Sequence, residues 1–325
     1  MTPKSIKTVY RYRQINEKTL DTLAHDKVYF AHPASFNDPL DCKPTIESDS
    51  SDEDLRELLR ILVTTRIERE TEHLLKKAKL KSEKAREFAR KRASIEASRE
   101  LSDIEYNAND PEYCDITNIQ EHLLRYQIEK EILKHYERGV CCFSSSYNNP
   151  VLWSHYGDQH RGICIVYDSD RLPKPIINLV DYGGERNIKT SLIFDAVVKK
   201  SSTALEALEK SILLRKAKEW KYEKEWRMIG EIGESDSPLR MREIIFGVRC
   251  PASMKLMIVR AMEDRLEKLK FSEMQYVAGS YKLKKNQMDG EDIAFLPYTA
   301  LSATEAFEEL EPLETPQNSP ISGSA

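Results

Sequence analysis

A change of sequence grammar divides this chain. Residues 50–136 are almost devoid of Gly and Pro and repeat apolar residues at helical spacing, with Leu55, Leu58, Leu59 and Leu62 early and Leu123, Leu124, Ile128 and Ile132 late. On either side the pattern shifts to short apolar runs between breakers, which read as strands. Before it come Thr8-Val9-Tyr10-Arg11-Tyr12, a helical stretch from Glu17 to His25, and Lys27-Val28-Tyr29-Phe30-Ala31. After it come Val140 to Ser144, Gly162 to Asp168, Ile176 to Tyr182, Trp226 to Ile232, Arg242 to Gly247, Gln275 to Leu283 and Ile293 to Tyr298. Helices are expected from Pro150 to Gly157, from about Ser201 to Lys218 and from Ala252 to about Lys268. Such a chain predicts an α+β fold, with a central, mainly antiparallel sheet interrupted by a long helical insertion. The boundaries expected are 1–49 and 137–303 for the α+β core and 50–136 for the insertion. Residues 304–325, with five Glu and no Lys or Arg, read as an acidic, disordered tail.

Charge narrows the partners. The formal net charge is −4 over 325 residues, so no global field draws the protein to nucleic acid or to anionic membrane. Residues 66–99 hold twelve Lys/Arg against six Asp/Glu, a mixed pattern that predicts a solvated helix laced with i,i+4 pairs. No apolar run approaches membrane-spanning length, and Met1-Thr2-Pro3-Lys4-Ser5 supplies no apolar signal core. The six cysteines show no CxxC spacing, which argues against structural zinc and for a reducing, cytoplasmic setting.

Four segments concentrate chemistry. Lys218 to Arg227 packs two Trp, one Tyr, three Glu and four Lys/Arg into ten residues. At a strand period of two, Glu223, Glu225 and Arg227 share one face, and Tyr222, Lys224 and Trp226 the other. Two carboxylates beside a guanidinium suit a site that meets both a cationic transition state and an anionic ligand. A solvated surface strand is the competing account. Phe36-Asn37-Asp38-Pro39-Leu40-Asp41 is a turn signal that leaves Asp38 and Asp41 as candidate ligand contacts. Trp153-Ser154-His155-Tyr156, leading to Gly162, offers His155 as a proton shuttle and Tyr156 as a stacking ring. His155 and His160, five apart, have poor helical metal spacing. Tyr10-Arg11-Tyr12-Arg13 places both arginines on one strand face, suited to a phosphate or carboxylate, or to solvent at a sheet edge. The chain has no GxSxG elbow, Walker A sequence, GxGxxG fingerprint or HExxH, so the commonest hydrolase, dehydrogenase and metalloprotease assignments fall away.

Taken in order, these motifs resemble the bacterial family catalogued as domain of unknown function 2971. The resemblance runs through Tyr10-Arg11-Tyr12, Val28-Tyr29-Phe30 to Pro39, Leu152 to Tyr156 with Gly162, and Tyr222 to Arg227, over roughly residues 8–250 apart from the insertion. The layout is also similar to that of the ADP-ribosyltransferase superfamily, and this second resemblance implies roles. Arg11 or Arg13 would orient the ribose of NAD, and Tyr156 or Tyr29 would stack on nicotinamide. Glu225 or Glu223 would hydrogen-bond the ribose and activate an acceptor, while Arg227 would hold the pyrophosphate. Asn37 and Asp38 join the NAD-binding set. The expected function is NAD-dependent ADP-ribosyl transfer to a protein or nucleic acid, or NAD cleavage, in a toxin or antiviral defence effector. The alternatives are a metal-dependent nuclease using Asp38, Glu223, Glu225 and His155 around a divalent cation, and a non-enzymatic nucleotide- or peptide-binding module.

Overall fold

Strand β1 (Thr8–Arg13) occupies the middle of an eight-stranded sheet in the computed structural model. The structure describes residues 6–80, 82–110, 117–135, 138–294, 296 and 302, and the tail expected at 304–325 lies outside them. Helix α1 (Glu17–Ala24) starts where the Asn16 side chain accepts from Thr19 N, an N-cap worth about 1 kcal/mol. Then come β2 (Lys27–Phe30) and β3 (Thr45–Glu47). The Gly-free region forms three helices, α2 (Asp52–Lys77), α3 (Glu83–Asn107) and α4 (Ile119–His135). Ser51 caps α2, with Asp52, Glu53 and Asp54 in its first turn and Lys76 and Lys77 in its last, both favourable to the helix dipole.

The chain returns to the sheet with β4 (Gly139–Ser144), α5 (Pro150–Tyr156) and β5 (Ile163–Asp168). Short pieces follow: β6 (Asn178–Leu179), β7 (Asp181–Tyr182), β8 (Asn187–Lys189), α6 (Thr190–Val197), α7 (Ser202–Leu213) and β9 (Arg215–Lys216). A 3-10 turn over Lys218–Glu223 leads into β10 (Glu225–Gly230). The chain continues through β11 (Gly233–Asp236), β12 (Arg240–Phe246), α8 (Ala252–Ala261), β13 (Lys270–Tyr276), β14 (Leu283–Gln287) and α9 (Gly290–Ala294). The large sheet runs β14-β13-β12-β5-β1-β4-β10-β6, antiparallel at every junction except β12–β13. The fold is therefore α+β with a mostly antiparallel sheet. Among the described residues, no helix is long and apolar enough to cross a membrane.

Alternation gives the sheet two different faces. Val9, Phe143, Ile165, Trp226 and Ile244 pack with Leu23 of α1 and with Ile258 and Val259 of α8. The opposite face has two separate covers. At the β4–β10 end, Val140 and Ile229 join the leucines of α2 and the apolar faces of α4, α6 and α7. Toward β5 and β12, Tyr12, Cys164, Val166 and Ile245 lie under Leu152 and Trp153 of α5. The insertion is locked from within by Glu131, whose carboxylate accepts from Arg66 Nε (2.6 Å) and Lys134 Nζ (2.9 Å).

Several sequence-based element boundaries shift. The helix expected to reach Lys218 stops at Leu213, because Arg215 and Lys216 pair with Asp181 and Tyr182 as a parallel bridge. The helix expected to reach Lys268 stops at Ala261. The strand expected over Gln275–Leu283 is split: its ends belong to β13 and β14, and a turn around Gly279 at φ +68° joins them. Ile293 and Ala294 are helical rather than part of a closing strand, and Tyr298 lies outside the described residues.

Candidate active site

The two covers leave a gap, and the gap is the candidate site. β1 and β4 pair in register only at Tyr10↔Ser144, whereas β1–β5 and β4–β10 each hold six successive partners. Below that junction the two central strands part. A cavity of about 330 Å3 fills the wedge, lined by Tyr10 to Arg13 on one side and by Val140, Cys142, Phe143 and Ser144 on the other. Phe36 and Asn37, Leu152 and Tyr156 form its upper walls, and Lys216, Glu223 and Glu225 its charged end.

Glu223 does not belong to the strand that carries Glu225. It ends the 3-10 turn, and Lys224 follows in the left-handed conformation at φ 47°. That single residue turns the chain, so Glu223 and Glu225 both face Lys216. The turn is pinned from below: Ser144 Oγ donates to Glu223 O (2.6 Å), Ser145 N to Lys224 O (3.1 Å) and Asn149 Nδ2 to Tyr222 O (3.0 Å). Alternation along β10 alone would have paired these carboxylates by a different route, and the αL residue is the physical reason for the change.

Three carboxylates and two cations form one buried cluster. Lys216 Nζ donates to Glu223 Oε2 (2.6 Å) and Glu225 Oε2 (2.8 Å), and lies 3.4 Å from Asp41 Oδ2. Arg227 Nε donates to Glu225 Oε1 (2.7 Å) and Nη2 to Asp41 Oδ2 (2.6 Å). Its Nη1 donates to Leu213 O (2.7 Å) and meets Cys42 Sγ at 3.2 Å. Burial pushes the Cys42 thiol up to about 12. With all three carboxylates ionised the cluster carries one net negative charge, so the last proton has a preferred home. Burial raises the Glu223 carboxyl above its ordinary value, with the neighbouring Glu225 adding to the effect. Burial opposes the charge on Glu225 as well, but Arg227 and Lys216 outweigh it and hold Glu225 down to about 2. Two adjacent carboxylates whose proton affinities are driven apart can take different roles, one a fixed charge and the other a proton carrier. Glu223 also accepts from Tyr156 Oη (2.7 Å), which accepts from Asn37 Nδ2 (3.2 Å).

The arginines of β1 point away from Glu225. Arg11 lies over the Phe143 ring (5.7 Å) and donates from Nη2 to Tyr29 O (2.9 Å). Both reach the cavity wall because the strands part there. Arg13 makes no hydrogen bond or ion pair among the described residues, and burial beside Arg11 lowers its pKa to about 10. It also lines a second, polar cavity of about 430 Å3, shared with Tyr12, Tyr156, His155, Ser154 and Asp158. Tyr12, Arg13 and Tyr156 are thus the wall common to both cavities.

The structure brings together Glu223, Glu225, Tyr156, Asn37, Arg11 and Arg13, and places His155 in the neighbouring cavity. Arg227 is 0 % exposed and supports the cavity from beneath, so it is spent on Glu225 and Asp41 and does not reach a pyrophosphate. Tyr29 lies outside the cavity, with Lys18 Nζ 3.2 Å from its ring centroid. Asp38 is half-buried and accepts from Leu40 N (2.9 Å), holding the turn rather than facing the carboxylates. Among the described residues, no group of three or more His, Cys, Asp and Glu is placed to hold a metal ion. Sequence reasoning missed Lys216. Its one signal is a lysine two residues past the apolar run Ile212-Leu213-Leu214, where burial forces an ammonium to find carboxylates.

Residues 152–228 match the model of the family described as protein of unknown function (DUF2971). Over that segment the chain is similar to DUF2971. The match is narrower than the 8–250 span the motifs suggest. The matched segment begins at Leu152, ends just past Arg227 and contains His155, Tyr156, Lys216, Glu223 and Glu225. No curated protein and no solved structure matches the chain.

Proposed function

We propose that the protein breaks the nicotinamide–ribose bond of NAD and transfers the ADP-ribosyl group to a macromolecule or to water. Arg13 carries this reading: a half-buried residue that lines both cavities and whose guanidinium has no partner among the described residues. A dinucleotide has that layout, two nucleoside halves joined by a pyrophosphate that seeks a guanidinium. The nicotinamide riboside half would enter the cavity of about 330 Å3, and the adenosine half the neighbouring one, beside Tyr12, Tyr156 and His155.

The carboxylates then divide the work. As the ribosyl C1′–N bond breaks, its electron pair leaves with the nicotinamide nitrogen and positive charge develops on the sugar. Glu225, held ionised, stabilises that charge. Glu223 takes the proton from the acceptor hydroxyl or amine as the new bond forms, oriented by Tyr156 and Lys216. The reading carries with it a cytoplasmic location, where NAD is held and where the five free cysteines described stay reduced.

Purified protein incubated with NAD and bacterial lysate, followed by chromatography of nicotinamide, tests this. Release is expected, and Glu223→Gln should slow it by about 100-fold or more, the usual worth of a positioned proton carrier. Full-rate release by Glu223→Gln, or no release under any condition, would sink the proposal.

A further inference from the structure

We infer that the rim beside the carboxylate cavity docks single-stranded nucleic acid, its bases stacking on Trp220 and Tyr222 and its phosphates meeting Lys218 and Lys221. The docking goes beyond the transferase reading; only the consequence that the strand is the acceptor rests on it.

The 3-10 geometry of Lys218–Glu223 carries the argument. At three residues per turn, side chains three apart eclipse one another. Trp220 and Glu223 fall in one column, and both meet Lys216: the ammonium lies 5.1 Å from the indole centroid and 2.6 Å from the carboxylate. Lys218 and Lys221 form a second column, and both are exposed. Glu219 and Tyr222 form the third. The turn that delivers Glu223 to the cavity therefore carries a half-exposed indole and a pair of free-standing ammonium groups outside it.

The rings continue toward the cavity. Trp220 and Tyr222 lie 6.0 Å apart at 38°. The exposed His155 ring stands 6.4 Å from Trp220 and 6.5 Å from Tyr222, edge-on to both. Tyr156, whose hydroxyl donates to Glu223, lies 6.0 Å beyond His155. A half-exposed aromatic row beside a basic column is the pairing that holds single strands, because every base offers a π-face and every nucleotide a phosphate. A duplex hides its base faces and cannot use the rings. The chain as a whole carries a net charge of −4, so the attraction is local to this turn.

Fluorescence anisotropy of a labelled single-stranded oligoadenylate, measured without NAD, is the test. Trp220→Ala and Lys218→Glu/Lys221→Glu should each weaken binding about tenfold or more, and salt should weaken it further. The two lysines are exposed, so the double charge reversal leaves the fold and any acceptor-free nicotinamide release intact. No binding, equal binding by the wild type and the double variant, or equal affinity for a duplex of the same length would overturn the inference. Binding without any nicotinamide release would uphold the docking surface and remove the transferase reading. Release without binding would do the reverse.

Discussion

Replacing Glu225 by Gln keeps the shape of the side chain and removes its charge from a site where two cations depend on it. The effect can be worked from the shift itself. Glu225 titrates near 4.5 when unperturbed and at about 2 in the cluster. That gap, at about 1.4 kcal/mol per unit, makes the ionised carboxylate worth about 3 kcal/mol of folding stability. The side chain is almost fully buried, so solvent screening takes little from this figure. The range of about 3–5 kcal/mol for breaking a buried ion pair agrees with it. The sign follows from the depressed pKa: the contribution is complete above 4.5, declines as pH falls, and is lost once pH passes below about 2. Urea unfolding of the wild type and of Glu225→Gln should therefore differ by about 3 kcal/mol at pH 7 and by less than half of that near pH 3. A difference under about 1 kcal/mol at pH 7, or one that does not change between pH 6 and pH 3, would refute the cluster as the source of this stability.

Other substitutions separate support from chemistry. Tyr156→Phe removes a hydrogen bond that favours the ionised form of Glu223, so the acidic limb of a pH–rate profile of nicotinamide release should move to higher pH; an unmoved limb would separate Tyr156 from the proton carrier. Arg13→Gln should raise KM for NAD about tenfold or more, because a hydrogen bond to a charged group contributes about 1.5–3 kcal/mol, while thermal stability holds or rises as a half-buried cation with no partner among the described residues is lost. An unchanged KM would detach Arg13 from the ligand. Gly162→Ala places a Cβ against the Arg13 carbonyl oxygen, and should cost about 1–3 kcal/mol in urea unfolding together with NAD affinity; a variant as stable as wild type would show the backbone there free to yield.

How much of this was legible depends on the range of the interactions involved. Local patterns named the strands Thr8–Arg13 and Ile163–Asp168 within a residue, because alternation and breakers act over a few positions. They also placed α5, whose Asn149 cap and Pro150 start are a complete local signal. Local patterns failed at Glu223, where a periodicity of two continued past the true start of the strand. The left-handed Lys224 that breaks it is not a residue type that announces such a conformation. They failed also at Lys216, which is separated from Asp41 by a long stretch of chain and meets it only because β9 lies against β7.

The amino-acid order alone determined an α+β chain with a helical insertion, and it determined that Tyr156, Glu223, Glu225 and Arg227 stand in chemically dense segments. Those properties follow from composition and short-range periodicity. Tertiary structure decided what the dense segments do to one another. The parting of β1 from β4 turned two outward-facing arginines into cavity walls, and the pairing of β7 with β9 drove an ammonium among three carboxylates. Burial then gave adjacent glutamates opposite proton affinities, because the field of a buried charge depends on distances in space that no sequence spacing encodes.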